Sequence, residues 1–215
     1  MTTPPEEKQL LRESAWARVY SIDLKPVRFE SKFAMDGLEV SADSIKSSWK
    51  SFSPEEQFDF ALAFAAKPIL TSEDEEILSF LMETALPRNI CSIIAGMLPQ
   101  HSDRERVFRF LIDRVENEQD GRANYYGAVE VLNDSRAIPV LKRLYETYRK
   151  SEPFVKRGPL TESQFRQLFD YLSCCRALLT LERSKEFEMA IREILTHSDE
   201  RLRRHAERLL LEQKP

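Results

Sequence analysis

"AVEVLNDSRAIPVLKRLYE", residues 128–146, is the stretch on which the fold turns. Ala128, Val129 and Leu132 carry an apolar helical spacing that stops at Asn133-Asp134-Ser135. A second spacing of the same kind, Ile138, Leu141, Tyr145 and Tyr148, then begins. Two apolar stripes of period 3.6 split by a short polar turn predict a pair of antiparallel helices. Pro139 falls in the first turn of the second helix, where its missing N–H costs little.

The same grammar runs outward in both directions. Ser53, Ser72, Ser102 and Thr161 each stand three residues before Glu56, Glu75, Glu105 and Gln164, the pattern of a capping box. Ser135, Ser184 and Ser198 read as simpler N-caps. First helices are predicted over 54–67, 88–99, 122–133 and 162–181. Their partners are predicted over 73–86, 103–117, 136–150 and 185–196, with a last helix over 199–212. The partner caps Ser72, Ser102 and Ser135 recur at 30 and 33 residues, a helical-repeat period. The next step, to Ser184, is 49 residues, because "SEPFVKRGPL" inserts a Pro/Gly linker and the following helix is longer. Five glycines in 215 residues argue against a chain of many tight turns. Residues 1–52 are less regular and read as an N-terminal capping segment on a single array, 53–215. Within them "EEKQLLRESAWARVY" and "SADSIKSSWK" read as helices, while 31–40, with Asp36-Gly37, reads equally as a hairpin or a loop.

Leu132, Asp134, Arg136, Ala137, Ile138, Pro139 and Leu141 together resemble the short HEAT-like repeat of phycobilin lyase subunits and many bacterial scaffolds. "HSDERLRRHAERLL", 197–210, is similar to that family's variant with Asp/Glu ahead of "x-R-x-x-A". The resemblance covers about a third of the chain. It implies an all-α fold, a right-handed alpha-alpha superhelix of the HEAT/armadillo-like solenoid kind, with about four helix pairs and a capping helix. It also implies that second helices line the concave side.

His-Ser-Asp occurs at 101–103 and again at 197–199. Neighbouring residues at a helix start point in different directions, so adjacency does not make a triad. The expected role is punctuation: Ser102 caps, and Asp103 and Glu105 place negative charge at the positive helix end. Three histidines and three cysteines (Cys91, Cys174, Cys175) lack metal-ligand spacing. Cys174-Cys175 read as buried thiols, and isolated glycines offer no phosphate loop. No catalytic set, metal or cofactor is expected. Phe52, Phe58, Phe60, Phe64, Trp16 and Trp49 read as core; one or two of them, with Tyr125 and Tyr126, are the candidates to line a groove.

Charge is the informative asymmetry. The chain carries a net charge of -4, which disfavours a bulk-basic nucleic-acid binder. Residues 53–86 hold eight acids against Lys67 alone, whereas 136–157 and the last helix are basic. Arg106, Arg109, Arg136, Lys142, Arg143 and Arg149 lie off the apolar stripes and are the candidate partner-binding residues. A protein partner is the first expectation, with nucleic acid through the basic second half as the alternative. The resemblance to HEAT-like alkylpurine DNA glycosylases implies groove-lining Trp and a catalytic Asp, yet both tryptophans lie in 1–52. Chromophore-lyase activity is a third reading, from the repeat alone. The cysteine count, the absence of a signal-peptide pattern and the short apolar runs point to a cytoplasmic protein that does not enter the membrane.

Overall fold

The computed structural model describes residues 41–65, 67, 69–118, 121–151 and 160–211. Among them there are ten α-helices and no strand. In chain order they are α1 (Ala42–Ser48), α2 (Pro54–Ala65), α3 (Ser72–Glu83), α4 (Arg88–Met97), α5 (Arg104–Asn117), α6 (Ala123–Leu132), α7 (Ile138–Arg149), α8 (Glu162–Glu182), α9 (Lys185–Ile194) and α10 (Glu200–Leu211). Short 3-10 turns, Trp49–Ser51, Leu98–Gln100 and Ser135–Ala137, follow α1, follow α4 and precede α7. The expected helix at 6–20 with Trp16, the hairpin or loop at 31–40, and most of the Pro/Gly linker lie outside the described residues.

The helices pack on the neighbour two places away. α2 lies along α4, α4 along α6, α6 along α8 and α8 along α10; α5 also meets α7. The long helix α8 further contacts α7 and α9. One apolar core runs through all ten helices, from Ala42 to Leu209. Phe60 and Phe64 stack within it, and Trp49 meets Phe60 edge-on. Tyr125 and Tyr126 are both buried in this core, Tyr125 at the wall of a small pocket and Tyr126 fully enclosed. Cys174 and Cys175 are buried free thiols, and Cys91 is a half-buried one.

Cap chemistry explains where the helices start, and it corrects four of the expected caps. The Ser53–Glu56 and Thr161–Gln164 boxes form as read, and Ser184 caps α9. At α3 the cap is Thr71, boxed with Asp74, so Ser72 is already helical. At α5 the cap is Asp103, whose Oδ1 accepts the Arg106 N–H at 2.9 Å. Asp134 does the same for Arg136 at 3.0 Å and Asp199 for Arg201 at 2.9 Å. In each of the last three an aspartate next to the serine wins. A carboxylate accepts a charge-assisted bond and also meets the positive helix end, which a hydroxyl does not.

The α6 start has no local side-chain cap. Gly121, at φ 79°, supplies the left-handed turn that leads into it. The missing acceptor comes from α8: Asp170, 4 % exposed, accepts the Ala123 N–H at 2.8 Å. The backbone N–H groups of Gly121 and Arg122 also point at this carboxylate. A residue 47 positions away thus closes the helix end.

Candidate functional site

The six candidate cations sit on α5, on the turn into α7, and on α7 itself, and each lies against a carboxylate. Arg106 pairs with Glu83 of α3 and donates to Ser79 Oγ at 3.0 Å. Arg109 donates to Glu105 one turn back at 3.0 Å. Arg136 meets Asp134 at 2.7 Å and Glu105 at 2.8 Å, with its guanidinium 4.2 Å from the Phe108 ring centroid. Lys142 pairs with Glu182 at the end of α8 at 2.7 Å. Arg143 pairs with Glu116 of α5. Arg149 lies 3.7 Å from Glu193 of α9 and donates to Tyr145 Oη at 3.1 Å.

These contacts make a ladder running from α3 through α5 and α7 to α9. Arg109 and Arg136 converge on Glu105, and their hydrogen bonds, Arg136 foremost, hold its carboxyl below the usual range. Bonding to Asp134, and then to Glu105, raises the guanidinium pKa of Arg136 further. The face is therefore charge-mixed rather than basic. Exposed pairs of this kind add little stability singly, but they fix side-chain positions and register.

One unit of the ladder recurs elsewhere. Arg201 binds Asp199 at 2.9 Å, reaches Glu162 at 3.6 Å and covers Phe165 at 3.9 Å. Asp134-x-Arg136 on Glu105-x-x-Phe108 and Asp199-x-Arg201 on Glu162-x-x-Phe165 are the same interlock used twice. The signal was present in the sequence as two Asp-x-Arg steps, but its Glu-x-x-Phe counterpart lies about thirty residues or more away.

The His-Ser-Asp stretches also share one geometry. His101 Nδ1 accepts the Asp103 N–H at 3.0 Å, and His197 Nδ1 accepts the Asp199 N–H at 3.0 Å. His101 Nε2 faces Ser79 Oγ at 2.9 Å, a Ser–His contact that invites a catalytic reading. The proton placement argues against it. With Nδ1 accepting, the neutral ring carries its proton on Nε2 and donates to Ser79. A general base needs the reverse tautomer, with Nδ1–H held by a carboxylate. Arg106 donates to the same hydroxyl, so Ser79 is an acceptor twice over. Ser102 is likewise engaged: its N–H and O–H both bind the Glu75 carboxylate of α3, at 3.0 and 2.5 Å.

The most perturbed groups lie inside. Around Asp170, the Arg122 guanidinium donates to Tyr148 Oη at 3.3 Å, and Tyr148 and Tyr126 hydroxyls meet at 3.1 Å. Burial pushes the Asp170 carboxyl up to about 6, against the pull of the Ala123 N–H, the Arg122 N–H and the Arg122 charge. Burial likewise raises Cys174 and Cys175, which therefore stay as thiols. Nothing in the sequence marked Asp170, since it sits mid-helix among apolar residues. A small pocket near the α3 end, lined by Leu81, Cys91, Phe110, Arg114 and Tyr125, offers a thiol that burial also raises.

Among the described residues no group of three or more His, Cys, Asp or Glu is placed to hold a metal, and no helix is long and apolar enough to cross a membrane. No protein-family model, curated protein or solved structure matches the chain.

Proposed function

We propose that the chain is a non-catalytic interaction module: a short right-handed array of HEAT-like helix pairs that presents its second-helix face to a protein partner. Three observations support the array. Helices two apart pack together. The Asp-x-Arg interlock occurs twice. The His-Ser-Asp turn occurs twice with the same hydrogen bond. The observation that carries the functional reading is the ladder itself. Its cations are held by carboxylates, most of them on neighbouring helices, which leaves a fixed, mixed-charge surface of the kind a protein partner reads. A phosphate backbone would have to break those pairs before it could bind, so the ladder favours protein over nucleic acid.

Affinity capture with the full chain tests this, with Lys142→Glu/Arg143→Glu as the comparison. A protein retained by the unaltered chain should fall at least tenfold on the variant and survive nuclease treatment. Equal recovery on both chains would refute the face, and recovery lost to nuclease would refute the partner class.

A further inference from the structure

The two ends of the first-helix row differ. At the far end α10 turns Arg204 and Glu207 to solvent, a charged outer surface that suits the last helix of an array. At the near end stands α2, "PEEQFDFALAFA", which is polar over its first turn and apolar on every side from Phe60 onward. Interior helices α4 and α6 pack along a first helix on both sides, but among the described first helices α2 packs along α4 alone. Its core side carries Phe60, Ala61 and Phe64. Phe58, Leu62 and Ala65, at i, i+4 and i+7, form a second stripe that is only half-buried. Close by in the chain, Leu70 is half-buried and Ile69 is 78 % exposed. Glu55 and Asp59 border the stripe, with no ion-pair partner among the described residues. A helical stretch that is hydrophobic on all sides, as 60–65 is, belongs between neighbours rather than at an open edge.

We propose that the flank of α2 formed by Phe58, Leu62 and Ala65 is covered by the chain's own residues 6–20. Forty residues precede Ser41, and the first described helix after them, α1, packs on α3. That tether places the segment next to the flank at a high effective concentration, so a modest contact suffices. The sequence "EEKQLLRESAWARVY" has the right chemistry. Leu10, Trp16, Ala17 and Tyr20 recur at helical spacing, and Lys8 and Arg12 supply the charge that Glu55 and Asp59 call for. The segment takes the place that the preceding first helix holds for α4 and α6. The α2 flank is then an internal joint, separate from the partner face of α5 and α7.

The two tryptophans make this testable in the full chain labelled with 5-fluorotryptophan. Trp49 is buried against Phe60 and reports that the array is folded. Trp16, identified by its loss in Trp16→Phe, reports the cover. The unaltered chain should show Trp16 well away from its position in urea, at every protein concentration. Leu62→Lys should move the Trp16 signal to its urea position and leave Trp49 in place. If Leu62→Lys also collapses Trp49, Ala65→Glu at the edge of the stripe serves as the variant. Trp16 already at its urea position in the unaltered chain, or unmoved by a variant that keeps Trp49 in place, overturns the proposal. A Trp16 signal that shifts with protein concentration overturns it too, because the cover would then come from another copy.

Discussion

Asp170 sets two forces against each other, and pH separates them. Its carboxylate closes the α6 start and lies near Arg122, which favours the charged form. It is also 4 % exposed, and burial wins, holding the carboxyl at about 6 against an ordinary value of 3.8. A carboxyl raised on folding contributes stability that is full below the unfolded value and is lost as pH rises through the folded one. Each tenfold change in proton affinity is worth about 1.4 kcal/mol, so the rise from 3.8 to about 6 makes that loss about 3 kcal/mol, spread from about pH 3 to about pH 7. Asp170→Asn keeps an oxygen acceptor for the Ala123 N–H and cannot ionise. Its cost relative to the unaltered chain should therefore shrink by about 3 kcal/mol on going from pH 3 to pH 7. Urea unfolding of both chains at several pH values measures the difference and cancels every other titrating group. A difference that stays constant, or grows with pH, would show that the helix start and Arg122 outweigh burial, and the reasoning would fail.

Other sites make sharper single claims. His205 is 6 % exposed and stacked on Phe169, and burial, then the Arg208 charge, holds it down to about 3. Its contribution is full above about 6.5 and is lost as pH falls toward 3, so His205→Leu should flatten the acid limb of a circular-dichroism titration; an unchanged limb counts against this. Asp103→Ala should cost about 0.5–2 kcal/mol in thermal melts and more than Ser102→Ala, whose exposed bond to Glu75 is all that is lost; the opposite order would return the cap to Ser102. Leu111→Ala in the buried stripe of α5 should cost about 2–5 kcal/mol by urea unfolding, and a cost below about 1 kcal/mol would contradict its central place in the core.

The helices were legible because their signals are local. Apolar spacing and polar turns placed the described helices within a few residues, since burial of one face imposes a 3.6-residue period on the sequence itself. The caps were legible only in kind. Ser102, Ser135 and Ser198 have the right chemistry, but Asp103, Asp134 and Asp199 stand next to them with a stronger acceptor, and only the backbone direction decides between them. The charged surface was legible as composition and not as pairing. Lys142 and Arg143 read as free because Glu182 and Glu116 are 40 and 27 residues away, distances that helix packing closes and linear counting does not see. Asp170 was hidden for the same reason, its partners lying across α6 and α7.

The proposed partner face requires that the cations of α5, of α7 and of the turn into α7 stay held by carboxylates of the fold and are not offered to phosphate. Titration of the full chain into a labelled duplex of about twenty base pairs, at about 50 and 200 mM salt, tests it directly. The ladder predicts binding no tighter than about 10⁻⁴ M even at the lower salt, no better than the weak limit of non-specific association at physiological salt. Binding at about 10⁻⁶ M or tighter that weakens by roughly a thousandfold at the higher salt would contradict it, because that slope requires several guanidinium and ammonium groups free to replace counterions.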